Sequence, residues 1–366
     1  MQTKQIIFSD YKKIGDILNK HGAKKPMLVC GKSFQKSYVF DYLKDYNIVV
    51  FDNIRPNPRF DDMVKAVEVF KNEGCDFMIA AGGGSPMDSA KMIRLMVTNG
   101  CENALTKPME NNAIPSLFIP TTSGTGSEAT KVSVFYINEN EKFSVHSYDF
   151  IPQYVLFDEK LLLSVDDYQR RCTCLDALCH CIESYWSTTA NDESKGYAEK
   201  GVKLFFEFLD EYLANTERGN RGMLEASFYG GKAINITGTT AAHALCYNLT
   251  MNCNVAHGHS VAAVLLHQWD YMLNHNEHVN DARGRQYVLD TFEQLGRIMG
   301  GKNARDGYKI FGNLLIKLGM KSIEFGDDLL YDFIFKVNTK KLGTNPTLLD
   351  GNDVLELYKR VKDYGI

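Results

Sequence analysis

Apolar residues in the first half of the chain fall in short continuous runs, with amphipathic stretches between them. Pro26-Met27-Leu28-Val29-Cys30, Ile48-Val49-Val50-Phe51, Asp76-Phe77-Met78-Ile79-Ala80-Ala81 and Ser116-Leu117-Phe118-Ile119-Pro120 predict strands, the third of a buried type. Between them, residues 33–46 and 60–73 predict helices. In the second of these, Met63, Val64, Val67 and Phe70 recur at helical spacing. Strand and helix in alternation imply a mostly parallel sheet with helices on both faces.

The pattern changes near residues 158–167. Beyond it helical stretches dominate, among them 176–187, 196–212, 223–235 and 287–299, and no strand pattern is convincing. The expected boundary is therefore about residue 162. An α/β domain occupies 1–162 and an all-helical domain 163–366. The sequence shows no internal repeat and no low-complexity segment.

Composition narrows the function classes. The 366 residues are 44% hydrophobic and 23% charged, ordinary for a globular protein and long enough for two domains. A net charge of -4 offers no basic field for nucleic acid. The longest apolar runs, such as Val261-Ala262-Ala263-Val264-Leu265-Leu266, are too short for a bilayer. The start, Met1-Gln2-Thr3-Lys4, has no apolar signal core behind it. The expectation is a cytoplasmic protein without membrane or nucleic-acid partners. Nine cysteines do not read as a disulfide framework. Cys172, Cys174, Cys179 and Cys181 resemble a thiolate metal ladder, but residues two apart on a helix diverge, so reduced, partly buried thiols are the preferred reading.

Two loops carry candidate chemistry in the first domain. Gly82-Gly83-Gly84-Ser85-Pro86-Met87-Asp88-Ser89-Ala90-Lys91 follows a strand and opens a helix. Glycines let backbone amides approach phosphate oxygens, and the helix N-terminus adds donors and a positive dipole end. Gly82, Gly83, Gly84, Ser85 and Asp88 are candidate dinucleotide contacts. A tight turn without a ligand is the plain alternative. The run is not GxGxxG, so an ordinary Rossmann fold is not implied. The second loop, Pro120-Thr121-Thr122-Ser123-Gly124-Thr125-Gly126-Ser127-Glu128, adds Thr121, Thr122, Ser123, Thr125 and Ser127 as candidate contacts at a strand's carboxyl end.

The helical half holds metal-ligand residue types in two spaced pairs. Asp176 and His180 are four apart, so one helix face presents both. His243 and His257 form the second pair. Three imidazoles and a carboxylate suit Fe(II) or Zn(II). A metal beside a nicotinamide points to hydride chemistry, in which the metal polarises a carbonyl and the cofactor delivers hydride. The cleft between the two domains is the expected place for it.

Together these segments resemble the iron-dependent, group III alcohol dehydrogenase family. That family shows a GGGSxxDxAK loop, a PTTxGTGSE loop, a DAxxHxxE helix and two later histidines fourteen apart. Here the counterparts are Gly82 to Lys91, Pro120 to Glu128, Asp176-Ala177-Leu178-Cys179-His180-Cys181-Ile182-Glu183, and His243 with His257. The resemblance spans nearly the whole chain. It implies a dehydroquinate synthase-like architecture, with a dinucleotide-binding α/β domain and a helical domain. It also implies a metal held by Asp176, His180, His243 and His257, and a homo-oligomer such as a dimer. Two positions depart from the pattern: Tyr247 stands where many members have a further histidine, and Cys174 where many have glycine. A narrower resemblance, over 231–247, 183–187 and 257–262, is to the phosphonoacetaldehyde reductase branch. It implies reduction of phosphonoacetaldehyde to 2-hydroxyethylphosphonate. Gly238 stands where that branch often has lysine.

No acid follows the first clear strand; Gly31-Lys32-Ser33, with Lys36 nearby, suits a 2′-phosphate. Gly31 and Ser33 are therefore cofactor candidates, and NADP(H) is slightly preferred to NAD(H). Tyr247 and His259 are candidate proton donors, and His267 is expected to border the substrate pocket. Asn235, Thr237, Thr239, Thr240, Lys232, Arg170 and Arg171 are candidates for an anionic substrate tail. Rival readings are a general short-chain alcohol or aldehyde dehydrogenase, a lyase of the dehydroquinate synthase type, a glycerol dehydrogenase, and a nucleotide-binding protein without activity.

Overall fold

The computed structural model describes residues 5–107, 113–138, 141–335, 337 and 342–364. Two compact units emerge. One runs to Thr122 and resumes at Gly126–Ser164; the other comprises Ser123–Thr125 and the chain from Val165.

Among the described residues the first unit contains eight strands: β1 (Ile6–Phe8), β2 (Pro26–Cys30), β3 (Val49–Phe51), β4 (Phe77–Gly82), β5 (Ser116–Pro120), β6 (Val132–Tyr136), β7 (Lys142–His146) and β8 (Tyr154–Leu156). Six form one sheet in the order β1-β8-β5-β4-β2-β3. Each neighbouring pair is parallel. Every residue of β2, β4 and β5 is buried. Burial on both faces is why these strands read as continuous apolar runs. Gly82 lies in register with Pro120, so the glycine loop and the hydroxyl loop leave adjacent strands at one level. β6 and β7 form a separate antiparallel ribbon that the apolar pattern did not announce. Their half-buried alternation mixes Ser133, Ser144 and Lys142 with the apolar residues.

Helices of this unit are α1 (Lys13–Lys20), α2 (Tyr38–Leu43), α3 (Phe60–Asn72) and α4 (Gly84–Asn99). The expected helix over 33–46 is broken. Ser37 is extended (φ −88, ψ 152), and its hydroxyl accepts from the Phe40 amide to start α2 afresh. Phe34–Lys36 and Lys44–Tyr46 are 3-10 turns on either side.

The second unit is helical: α5 (Asp167–Trp186), α6 (Asp192–Leu213), α7 (Glu217–Thr237), α8 (Ala241–Asn252), α9 (His257–Asn274), α10 (Arg285–Ile298), α11 (Ala304–Lys317), α12 (Asp327–Phe335) and α13 (Gly351–Tyr364). Helix α5 begins well before residue 176, because the Asp166 carboxylate caps it by accepting from the Gln169 amide. From Cys172 to Trp186 it is buried on every side, which leaves it little amphipathic signal. Helices α6, α7 and α9 pack around it. All nine cysteines are free. Burial pushes the thiols of Cys172 and Cys181 up, to about 11 and about 12, so they stay neutral. Among the described residues, no helix is long and apolar enough to cross a membrane.

Candidate metal and dinucleotide sites

Helix α5 presents Asp176, His180 and Glu183 along one stripe, at i, i+4 and i+7. His243 sits in the first turn of α8, and His257 opens α9. The start of α9 reaches α5 because residue 258 is glycine. A Cβ there would stand 1.9 Å from the Cys172 carbonyl oxygen and 3.1 Å from Asp176 Cβ. Any other residue would push His257 away from Asp176.

Three of the four expected ligands, Asp176, His243 and His257, form one close group, and His180 approaches it through Asp176. From Asp176 Oδ1, the Nε2 atoms of His243, His257 and His180 lie at 3.3, 3.8 and 3.9 Å. Donor atoms of Asp176, His243 and His257 all lie within 4.8 Å of one another. The His180 and His243 rings stack at 4.5 Å between centroids. Asp176, His180 and His243 are buried, whereas the His257 side chain is 35% exposed, so the cluster meets solvent on the His257 side. The Tyr247 ring stacks on His257 at 5.5 Å, with 19° between planes.

Each imidazole is held from behind through Nδ1. His180 Nδ1 faces the Gly124 carbonyl at 3.3 Å, His243 Nδ1 faces the Glu183 carboxylate, and His257 Nδ1 lies 3.7 Å from Cys246 Sγ. A carbonyl or carboxylate only accepts, so Nδ1 of His180 and His243 carries the proton. Their Nε2 lone pairs then point at a carboxylate oxygen. That arrangement repels itself unless a metal ion or a proton on Nε2 lies between the donors. Four donors at about 2.1 Å from a tetrahedral ion stand roughly 3.4 Å apart. The observed spacings bracket that value, and the residues present fit a divalent ion.

Charge around the cluster follows the same logic. Burial would raise the Asp176 carboxyl, but His180, His243 and His257 hold it well below the usual carboxylate range. Burial pulls His180 down to about 4. Burial also opposes a charged His243, yet Glu183 and Asp176 outweigh it and raise that imidazole.

Most other candidates in this unit are engaged within it. His259 Nε2 donates to the Lys321 carbonyl at 2.8 Å, which leaves Nδ1 to accept from the Tyr168 hydroxyl at 3.0 Å. Both ring nitrogens are thereby committed to fixing the start of α9. His267 is buried on α9. Arg170 is buried, donating to Asn220, Asn215 and the Tyr212 carbonyl and lying over the Tyr212 ring. Arg171 donates to the Leu318 carbonyl. Lys232 lies over the rings of Tyr197 and Phe228. Thr237 donates to Ser184, and Thr240 to Glu183. The Thr239 carbonyl accepts from Thr344, and Asn235 is buried.

In the α/β unit the glycine loop has the geometry of a cradle. Gly82 adopts φ +146°, and a Cβ there would meet Pro86 Cγ at 2.7 Å. Gly83 is the N-cap of α4 with no side-chain cap, and Gly84, Ser85 and Pro86 form the first turn. Gly83, Gly84, Ser85, Thr121 and Thr122 are partly exposed. Asp88 and Ser127 are tied inward instead. Ser127 Oγ donates to Asp88 Oδ1 at 2.6 Å, and the Val134 amide to Asp88 Oδ2 at 3.0 Å. Wholly buried Lys91 donates to Ser127, Thr130 and the Val132 carbonyl. Ser123 is also committed, to the Tyr212 hydroxyl at 2.8 Å within the helical unit, while Thr125 stays partly exposed.

After β2, Gly31 is open: a Cβ there would meet only Ser33 Oγ, at 3.9 Å. Ser33, Lys32 and Lys36 are exposed. A carboxylate does stand beside this strand, at the end of its neighbour β3. Asp52 follows β3 and accepts from Gln35 at 2.9 Å. Sequence reasoning looked along one strand, whereas β2–β3 pairing brings the carboxylate in from the side.

Residues 3–159 match the sequence profile of iron-containing alcohol dehydrogenases, and 171–361 that of the C-terminal region of the Fe-containing alcohol dehydrogenase family. Long-chain-alcohol dehydrogenase 1 of Geobacillus thermodenitrificans is 31% identical over 62% of this chain, which spans 59% of that protein's length. The 1,3-propanediol dehydrogenase of Citrobacter freundii is 30% identical over 83% of this chain and 80% of its own. Among solved structures, sulfoacetaldehyde reductase from Bifidobacterium kashiwanohense, in complex with NAD+, superposes with a TM-score of 0.88. It is 24% identical, covering 99% of this chain and 98% of that one, and the likeness bears on fold.

Proposed function

The chain belongs to the iron-containing alcohol dehydrogenase family, and from that premise we propose that it reduces a small aldehyde to an alcohol with a nicotinamide cofactor and a divalent metal. The observation that carries this reading is the convergence of three Nε2 atoms on Asp176 Oδ1. Bound there, iron or zinc supplies Lewis-acid polarisation of the carbonyl, and the nicotinamide supplies hydride.

The protein's own residues divide the remaining work. Asp176, His180, His243 and His257 hold the metal. The amides of Gly83, Gly84 and Ser85 take the pyrophosphate, and Thr121, Thr122 and Thr125 the neighbouring polar groups. Asp88, Ser127 and Lys91 keep the two loops together rather than touch the dinucleotide. Ser123 anchors its loop to Tyr212. Tyr247, beside the exposed edge of His257, hands a proton to the product oxygen. His259 serves as a strut for α9. His267, buried on α9, is read as bordering the substrate pocket.

For the cofactor we prefer NADP(H), since open Gly31, Ser33 and the exposed lysines leave room and charge for a 2′-phosphate. Asp52 is the opposing charge, and Gln35 holds it. For the substrate we put phosphonoacetaldehyde first, on the motif resemblance in 231–247. A general short-chain dehydrogenase is the second reading, favoured by the engagement of Lys232, Thr237 and Thr240 within the protein. The test is oxidation of NADPH and NADH by iron- or zinc-reconstituted protein with phosphonoacetaldehyde, propanal and lactaldehyde. A strong preference for the phosphonate, lost in His257→Ala, supports the first reading. Equal or faster plain aldehydes select the second, and no oxidation with any aldehyde sinks both.

A further inference from the structure

Glu183 has no exposed surface and lies one turn beyond His180 on α5. Its Oε1 accepts from the Thr240 amide at 2.9 Å, the Thr240 hydroxyl at 2.7 Å and the His243 amide at 3.4 Å. Its Oε2 faces His243 Nδ1. The carboxylate therefore closes the N-terminus of α8, where no side chain of that segment caps the helix. It also grips the first imidazole of the same helix.

The three imidazole supports are unequal. His243 has a carboxylate, His180 a carbonyl, and His257 a thiol sulfur at 3.7 Å. Hydrogen bonds to an ionised acceptor are about twice as strong as neutral ones, and a thiol is a weak partner. A carboxylate behind a ligating imidazole fixes its tautomer and raises the basicity of the far nitrogen. The ring with the strongest support is also the one nearest Asp176 Oδ1, at 3.3 Å.

We propose that Glu183 is a positioning residue for the metal ion: by holding the Nδ1–H tautomer of His243 it sets how tightly the site retains a divalent cation. The inference rests on the reading of the four residues as a metal site, and it adds a fifth residue that touches neither metal nor substrate.

Metal-stripped protein titrated with zinc against a chromophoric chelator tests it. Glu183→Gln is expected to weaken zinc about 10–100-fold. Cobalt-loaded variant is expected to show a changed visible absorption spectrum. Thr240→Val removes one donor to Glu183 Oε1 and the acceptor of the Trp186 indole, leaving the Oε2–His243 contact in place. It is expected to lower thermal stability while zinc affinity stays within about threefold of wild type. Glu183→Gln binding zinc as tightly as wild type overturns the inference. So does an equal loss of affinity in Thr240→Val, which would make the cap, not the tautomer, responsible. Wild type that takes up no divalent ion overturns instead the metal reading beneath it. Should Glu183→Gln not fold, nitrogen NMR of intact zinc-loaded wild type with labelled histidine decides. His243 metallated at Nε2 with a strongly hydrogen-bonded Nδ1–H supports the proposal, and metallation at Nδ1 ends it.

Discussion

The glycine cradle after β4 offers a ligand the amides of one contiguous stretch, whereas the donor cluster of the helical unit offers side chains from three helices. The cradle depends on backbone conformation, above all at Gly82 with its φ of +146°. The cluster depends on support behind its imidazoles, from the Gly124 carbonyl, the Glu183 carboxylate and the Cys246 thiol. A backbone-built site tolerates changes of side chain and fails on a change of shape. A side-chain-built site fails on a single truncation.

The largest expected effect is at Asp176, the atom on which three imidazoles converge. Asp176→Ala should lose most bound metal after dialysis and slow aldehyde reduction by about 10³-fold or more, the scale of several kcal/mol of carbonyl polarisation. Retained metal and turnover would remove the centre from the comparison. A second effect tests the frame around the cradle. Burial pushes the Glu128 carboxyl up from 4.5 to about 7, with only partial relief from its own backbone and from Lys91. The unfolded chain ionises first as pH rises, so this group's contribution to stability is full below about pH 4.5 and is lost as pH climbs through about 7. Glu128→Gln should therefore gain on wild type by up to roughly 3 kcal/mol between those limits, at 1.36 kcal/mol per pH unit. Urea midpoints at pH 4.5 and pH 8 give the difference directly, and a pH-independent gap would contradict it.

Smaller effects separate shape from side chain within the cradle itself. Gly82→Ala should cost about 1–3 kcal/mol of stability and weaken NAD(P)H binding, with metal content unchanged. Fluorescence titration of the cofactor beside metal analysis reads both. Ser85→Ala should change cofactor affinity by no more than about threefold if amides do the binding. A loss far beyond that would show the cradle to be side-chain-built after all.

The sequence was most legible where one stretch of chain does one job. β2 and β5 run over the residues expected, since burial on both faces writes a continuous apolar run. The four metal-ligand candidates stood out by residue type and spacing. Less visible were features written by distant partners. The start of α5 hides in the polar run from Asp167 to Thr173, where a cap rather than an apolar stripe signals the helix. The β6–β7 ribbon alternates too weakly to announce itself. Asp52 escaped notice because strand pairing, not chain order, brings it beside Gln35. Glu183 was on view in the motif, but its partner His243 is 60 residues away. His259 looked chemically free until two partners from other segments claimed its nitrogens.

The hydroxyl loop carries one more implication, for how this chain can be divided. Ser123, Gly124 and Thr125 pack with the helical unit although the residues on both sides of them belong to the other. A gene fragment beginning at Val165 would encode α5 to α13 yet lack the Gly124 carbonyl that orients His180 and the serine that meets Tyr212. The complementary fragment would carry Ser123 and Gly124 with their partners, Tyr212 and His180, cut away. The two units are thus not interchangeable cassettes. Grafting a foreign dinucleotide domain onto these helices would require transplanting a tripeptide in the opposite direction.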